Sequence, residues 1–168
     1  GICEAILLAW FGGETGAKAI AETLVGLNNP AGRLPVSFPQ DSYRIPCYYT
    51  VLPNNTEVMF EGSRRPRYEF GFGLSYTSFE YSNLKIEKLT ELDYKVSVDV
   101  KNTGKVKGDE VVQLYVNDKV SSIITPLKEL KGFERITLEP GETKTVEFKL
   151  DFDSFKLLNR HFEWVVED

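Results

Sequence analysis

From residue 77 onward, apolar and polar positions alternate with a period of two. Tyr94, Val96, Val98 and Val100 interleave with Lys95, Ser97, Asp99 and Lys101, the pattern of a strand with one face in a core and the other in water. Asn102-Thr-Gly104 and Lys107-Gly108 predict the turn that follows. Val112, Leu114 and Val116 then form the inner face of the next strand, with Val111, Gln113, Tyr115 and Asn117 on its other side. A short strand over 83–88 precedes these two. Residues 127–138 supply one or two more, with Ile136 and Leu138 inward. Pro140-Gly141 fits a type II turn, Pro fixing φ and Gly accepting a positive one. Residues 143–150 alternate again, and 152–166 closes with aromatic strands around Trp164. Roughly six strands with regularly spaced turns predict a mainly β fold, an antiparallel sandwich. No Cys–Trp–Cys pattern pins it by a disulfide. A seven-stranded sandwich wants one strand more, so an unpaired edge or a missing element is expected.

The earlier residues follow another pattern. Ala5-Ile-Leu-Leu-Ala-Trp-Phe11 is an unbroken apolar run ended by Gly12-Gly13, which suits a strand buried on both faces of a parallel sheet. Ala17, Ile20, Ala21, Leu24 and Val25 then fall on one helical stripe. Glu14 and Thr15 stand where a helix start favours an acid and a capping oxygen. Lys18 and Glu22 are spaced to pair, and Gly26 supplies the stop. Strand, glycine turn and helix make one βα unit, and nothing later repeats it to complete a sheet. Outside a parent sheet the 5–11 strand exposes apolar surface, so it is expected to pack on a neighbouring molecule, pair in a homodimer or rearrange. A chain that starts inside such a run reads as a piece of something longer.

Pro30, Pro35 and Pro39 exclude a helix interior from 28–39, and the alternation of Leu34, Val36 and Phe38 predicts an extended segment lying flat along a neighbouring surface. Residues 41–67 are irregular. Next comes Tyr68-Glu-Phe-Gly-Phe-Gly-Leu-Ser-Tyr76, where Gly71 and Gly73 alternate with Phe70, Phe72 and Leu74. Two readings stay open: a linker that tucks its aromatics into a core, or backbone pressed against something at each glycine.

Composition narrows the chemistry. At 42% hydrophobic and 27% charged, the 168 residues fit one ordinary globular domain or a small domain with an appendage. A net charge of -5 with interspersed lysines and acids argues against a nucleic-acid partner. No run approaches the ~18 apolar residues of a membrane span, and the first residues lack the initiator Met and basic region of a signal peptide. Cys3 and Cys47 stand in apolar surroundings without metal-site spacing and read as two buried free thiols rather than a disulfide. His161, the only histidine, lies in a charged segment, where a solvated or cross-strand role outweighs a general base. Gly12-Gly13 lacks the signatures of a phosphate loop. Arg64, Arg65 and Arg67 read as an ion-pairing or solvated loop. Asp93, Asp99, Asp109, Glu110, Glu134, Glu139, Glu142 and Glu147 fall nearly all on outward strand positions or in turns. Solvated carboxylates are expected there, and their spacing proposes no facing pair of the kind a glycosidase needs. No residue is assigned to catalysis, to a cofactor or to a metal.

Several segments, taken in order, carry a family resemblance. Trp10-Phe-Gly-Gly-Glu-Thr-Gly16, Asn29-Pro-Ala-Gly-Arg-Leu-Pro-Val-Ser-Phe-Pro39, Ile45-Pro-Cys-Tyr-Tyr49 and Tyr68-Glu-Phe-Gly-Phe-Gly-Leu-Ser-Tyr-Thr-Ser-Phe79 are similar to the C-terminal part of glycoside hydrolase family 3, the β-glucosidase and β-xylosidase family. Glu110-Val-Val-Gln-Leu-Tyr-Val116, Pro126-Leu-Lys-Glu-Leu-Lys-Gly-Phe133 and Leu138-Glu-Pro-Gly-Glu-Thr143 resemble that family's fibronectin type III-like domain. The resemblance implies a fibronectin type III/immunoglobulin-like antiparallel β-sandwich preceded by a βα remnant of an α/β sandwich domain. Residues 1–40 would be the βα piece, 41–76 an extended linker and 77–168 the sandwich, its last strand missing.

The resemblance further implies a retaining β-glucosidase or β-xylosidase as parent, its barrel supplying an aspartate nucleophile and its α/β domain the acid/base glutamate, both before Gly1. This chain would then be inactive alone, with the barrel and α/β domains as partners. Glu14 matches an acid of the family's glycine-rich loop, where helix capping ranks ahead of cleft lining. Phe11 replaces a commoner Tyr, Cys47 is unusual, and the Gly-rich strand that follows Trp164-Val-Val-Glu167 in the family is absent. On this reading residues 68–76 enter the sandwich, with Gly71 and Gly73 against the α/β domain and Phe70, Phe72 and Tyr76 filling the seam. Two alternatives differ in class. A carbohydrate-binding module needs exposed aromatics, such as Tyr115, Phe162 and Trp164, in a row on one sheet face. A structural immunoglobulin-like repeat is disfavoured by the N-terminal βα unit.

Overall fold

A computed structural model of the chain describes residues 3–43, 45–52 and 65–167. Its elements are α1 (Gly16–Leu24), β1 (Phe79–Lys88), β2 (Tyr94–Asn102), β3 (Gly108–Val116), β4 (Glu129–Leu138), β5 (Thr143–Leu150), α2 (Phe152–Phe155), β6 (Leu157–Leu158) and β7 (Trp164–Val165). The long strands form two antiparallel layers, β1-β2-β5 and β3-β4. Alternation decides what each strand buries. Val100 of β2, Val112 of β3, Ile136 and Leu138 of β4 and Val146 of β5 make one buried cluster, flanked by Phe79, Val98 and Phe148. Burying each such side chain stabilises by about 1.5–3 kcal/mol, so this cluster is what makes the two layers one cooperative unit. The turn at Pro140-Gly141 forms as predicted: Glu142 N–H donates to the Glu139 carbonyl at 3.0 Å, and Gly141 has φ 78°. Among the described residues β3 and β4 have one sheet neighbour each, so both layers end in open edges.

Strand β1 begins four residues earlier than its pattern predicts, because its parity breaks. Ser82 pairs with Asp99 but Lys85 with Ser97, three steps on β1 against two on β2. The extra residue is a bulge at Asn83, whose φ is 54°. Phe79, Tyr81 and Ile86 thereby all lie opposite inward residues of β2, namely Asn102, Val100 and Val96. The 152–166 stretch also departs from expectation. Asp151 Oδ1 accepts from Ser154 N–H and Ser154 Oγ accepts from Asp151 N–H, each at 3.2 Å. That capping box winds Phe152–Phe155 into a helical turn, leaving only the two-residue strands β6 and β7.

The helix α1 forms and ends as its stripe predicts. Leu27 N–H donates to Glu22 at 2.8 Å and Gly26 N–H to Thr23 at 3.1 Å, with Gly26 at φ 78°, a Schellman stop. Its start differs. Thr15 holds the N-cap position without a side-chain capping bond, and Glu14 lies exposed before it, so neither caps the helix. The larger correction is at 5–11, which is not a strand. The run is irregular, Trp10 has φ 51°, and Ile6, Trp10 and Phe11 are exposed. A strand needs a neighbour's N–H and C=O groups, and among the described residues no segment pairs with this one. The βα remnant therefore keeps its helix and not its strand. Segments 34–38 and 68–72 lie antiparallel, with Leu34 N–H on Phe72 at 2.8 Å, Gly71 N–H on Leu34 at 2.7 Å and Phe38 N–H on Tyr68 at 2.8 Å. This pair is the surface along which the predicted extended segment runs.

Candidate functional site

The paired segments meet the sandwich along a polar seam. Arg33 Nη2 donates to Glu110 Oε2 at 2.5 Å, and Tyr81 Oη donates to Glu110 Oε1 at 2.8 Å. The Arg33 and Glu110 side chains are only 13% and 9% exposed. Glu110 points inward because it shares the Val112 face of β3, where positions 108, 110 and 112 are all buried. Taking a carboxylate out of water is costly unless both oxygens find partners. Here one meets a guanidinium and the other a phenol. Burial, then the hydrogen bond to Glu110 and its charge, hold the Tyr81 phenol well above its ordinary range, with Arg33 pulling the other way.

Further contacts extend the seam on both sides. Gln113 Nε2 donates to the Gly71 carbonyl at 3.1 Å, and Tyr115 Oη donates to Gln113 Oε1 at 2.6 Å. Lys128 Nζ reaches Glu69 at 2.9 Å. Asn29 donates to the Lys107 carbonyl at 3.1 Å and accepts from Ser75 Oγ at 3.0 Å and Tyr76 N–H at 2.8 Å. Tyr76 Oη donates to the Thr23 carbonyl on α1 at 2.9 Å.

Gly71 is required by its positive φ and Gly73 by a close approach to backbone. A Cβ on Gly71, at φ 80°, would stand 2.3 Å from Gln113 Oε1, and one on Gly73 would stand 2.3 Å from the Gly32 carbonyl oxygen. Backbone pressed against a neighbour is thus the correct reading, with one amendment: Gly71 lies on β3 and Gly73 on residues 32–33. The aromatics do not fill the seam as expected. Phe70 stacks on Tyr49 at 4.2 Å, Phe72 stacks on Tyr68 at 5.3 Å, and Tyr76 contributes its hydroxyl.

An open groove of about 470 Å³ runs along the seam beside Arg33, Glu69, Tyr81, Glu110, Gln113 and Lys128. Its two carboxylates are each held by their own cation, Glu69 by Lys128 and Glu110 by Arg33. Acid and base are therefore neutralised in pairs, each pair joining two pieces of chain.

The residues weighed from the sequence fall elsewhere. Cys3 and Cys47 are free thiols, but Cys3 is exposed and Cys47 half-buried, because the apolar stretch around Cys3 has nothing to pack on. His161 is exposed in the β6–β7 turn, its N–H on Asn159 Oδ1 at 2.8 Å. Arg64 lies outside the described residues; Arg65 and Arg67 are exposed. Of the eight acids, Glu110 is the buried one. Its parity with Val112 was the signal that could have found it. Tyr115 lies half-buried on β3 with Lys128 Nζ 5.5 Å from its ring centroid, Trp164 lies on β7 with Lys156 Nζ at 4.9 Å, and Phe162 lies in the β6–β7 turn. They belong to different sheets and form no single row. Among the described residues no group of three or more His, Cys, Asp or Glu could hold a metal, and no helix is long and apolar enough to cross a membrane.

Comparisons with known proteins meet at the same place. Residues 2–76 match the glycosyl hydrolase family 3 C-terminal domain, and residues 110–168 match the fibronectin type III-like domain. The chain is 44% identical over 178 aligned positions to a periplasmic β-glucosidase of Salmonella typhimurium, covering 98% of the chain and 23% of that protein. It is 46% identical over 174 positions to a β-xylosidase of Formosa agariphila, covering 96% of the chain and 23% of that protein. A crystal structure of a Listeria innocua β-glucosidase in complex with glucose superposes with a TM-score of 0.84 at 35% identity, over 94% of the chain and 24% of that structure. The chain thus spans less than a quarter of the length of these relatives. Two matched regions joined by one seam place the molecule: the chain belongs to glycosyl hydrolase family 3, matching part of that family's C-terminal region over residues 2–76 and its fibronectin type III-like domain over residues 110–168.

Proposed function

We propose that this chain is the non-catalytic C-terminal part of an enzyme that hydrolyses the O-glycosyl bonds of β-glucosides or β-xylosides, and that it serves there as a brace. In this reading residues 1–40 belong to the enzyme's α/β sandwich domain, 41–76 are an extended linker, and 77–168 are the fibronectin type III-like domain. The observation that carries the reading is the chemistry of the seam. Its enclosed charges neutralise one another across Arg33 and Glu110, a contact that positions the two regions against each other. The exposed apolar run at 5–11, together with Ile20 and Leu24 of α1 and Val25 at its C-cap, is the face that the rest of the α/β domain covers. A second copy of the chain is the competing occupant of that face.

The test is direct. The purified 168-residue chain, incubated with aryl β-glucoside and aryl β-xyloside, is expected to release no more phenol than buffer; reproducible turnover by clean protein would place catalytic groups inside the chain and defeat the proposal. Sedimentation velocity on the same sample separates the two occupants. A monomer at all concentrations leaves the face for the parent enzyme, and a dimer abolished by Leu8→Lys assigns it to self-pairing.

A further inference from the structure

Burial divides this molecule unevenly. Every residue of the buried apolar cluster belongs to β2, β3, β4 or β5. Before residue 77, the buried positions among the described residues are Thr23 and Ala31. Among the described residues the hydrogen bonds and ion pairs that join the two regions run from Arg33 to Glu110, Gly71 to Gln113, Asn29 to Lys107, Glu69 to Lys128 and, outside the paired segments, Val51 to Leu127. Apolar burial is the source of cooperative stability, whereas polar contacts that return to water on opening contribute little net. A region tied by the second kind of contact opens at lower free energy than one tied by the first.

We propose that residues 29–38 and 68–76 form a strap that undocks from the sandwich as one unit while the sandwich stays folded, and that the Arg33–Glu110–Tyr81 cluster is its latch. The strap moves as a unit because its two segments are bonded to each other through Leu34, Phe38, Tyr68, Gly71 and Phe72. The cluster is the latch because its Arg33–Glu110 pair is the most enclosed of the cross-seam contacts, while Tyr81 on β1 holds the other Glu110 oxygen from within the sandwich and so fixes the carboxylate that Arg33 meets. Removing either charge leaves the other in a partly desolvated place without compensation, which drives the strap outward rather than merely loosening it. The Lys128–Glu69 pair, about half exposed on both sides, cannot substitute for it. Undocking would turn the fixed seam into a hinge between the two family regions, and this holds whether or not the proposed enzymatic parent is correct.

Native-state amide hydrogen exchange on the intact chain, followed residue by residue in a series of sub-denaturing urea concentrations, tests the device. An isolated two-stranded pair is marginal in water, so once the strap has left the sandwich its Leu34, Phe38 and Gly71 amides exchange and report the undocking; those of Val100, Leu138 and Val146 report the sandwich. Expected is strap exchange about ten- to a hundredfold faster than sandwich exchange, with a shallower urea dependence. Glu110→Gln and Arg33→Gln should each speed the strap amides by a further ten- to hundredfold or so, with the sandwich amides unchanged. A strap that exchanges with the same rate and urea slope as the sandwich overturns the proposal. Substitutions that accelerate both sets equally overturn the latch. The urea series on the unsubstituted chain decides the first point even if both variants fail to fold.

Discussion

At the scale of single residues, the sandwich depends on one polar side chain that its turn-like sequence setting hides. Asn102 is fully buried. Its Oδ1 accepts from Thr77 Oγ1 at 2.6 Å and Gly104 N–H at 3.0 Å, and its Nδ2 donates to the carbonyls of Val106 at 2.9 Å and Leu138 at 3.1 Å. One amide thus ties the end of β2 to the approach to β1, to the following turn and to the end of β4. Truncation strands several partners at once, each costing more to leave unpaired than the bond itself contributes. Asn102→Ala is expected to lose about 2–4 kcal/mol, against about 1 kcal/mol for Thr77→Val, which removes one of the four bonds. Urea midpoints at constant slope give both values, and a Thr77→Val loss equal to or larger than that of Asn102→Ala would refute the central role of the amide. The sequence reads Asn102-Thr-Gly104 as turn, whereas Asn102 is the last residue of β2 and the turn begins at Thr103, and no local pattern says that the asparagine points inward. Glu110 was hidden differently. Its inward parity was legible, but its partners Arg33 and Tyr81 are brought near only by the docked strap and the bulged β1, neither of which alternation alone reveals.

At the scale of elements, the two layers are spaced by a missing side chain. Gly132 on β4 faces Phe148 of β5, and a Cβ there would stand 2.8 Å from the Phe148 ring. Gly132→Ala is expected to destabilise by about 1–3 kcal/mol through overpacking. Pairing it with Phe148→Leu should recover part of that loss, because the smaller side chain vacates the space. A double mutant no more stable than the sum of the singles would show that the glycine serves the β4 bulge, where Leu114 pairs with Gly132 but Tyr115 with Leu130, and not the interlayer contact. The legible elements are those whose cause is local: β2 and β5 from clean alternation, the Gly141 turn, and the Gly26 stop of α1. The illegible ones each depend on something outside the window. A bulge at Asn83 flips the parity within β1, so its first half is lost to a period-two reading. The Asp151/Ser154 capping box outweighs the aromatic, strand-like composition of 152–155. Residues 5–11 have strand composition but no neighbour, and composition cannot supply a neighbour's hydrogen bonds.

At the scale of the whole molecule, the shifted groups define a pH window. Four carboxyls are held below their ordinary values. Hydrogen bonds from Thr145 and Asn83 act on Asp99, and a hydrogen bond from the Glu139 backbone acts on Glu142. Bonds from Ser122 act on Glu167. For Asp109, burial pushes upward but is outweighed by Thr137 and Arg135. As pH falls, the unfolded chain takes up these protons first. Their contribution is complete above about pH 5 and lost as pH drops through and below the ordinary carboxylate range. The 20 Lys and Arg charges are then left uncompensated and repel one another. At the alkaline end the sign reverses. Lys95 and Lys107 are raised chiefly by their bonds to Glu147 and Glu139, and Tyr81 chiefly by burial, so the folded state keeps these protons longer than the unfolded chain. Their contribution is complete below about pH 9.5 and declines above it. Urea midpoints are therefore expected to form a plateau from roughly pH 5 to 9.5 and to fall on both sides. Tyr81→Phe divides the alkaline limb between the seam and the surface. It should lower the plateau, because Glu110 loses a donor, and flatten the decline above pH 10, because the most strongly raised proton is gone. An unchanged slope would assign the limb to the exposed lysines and to Tyr115, also raised by burial, and remove Tyr81 from the pH response, while a flattened one would tie the alkaline stability of the molecule to the carboxylate on which Arg33 docks.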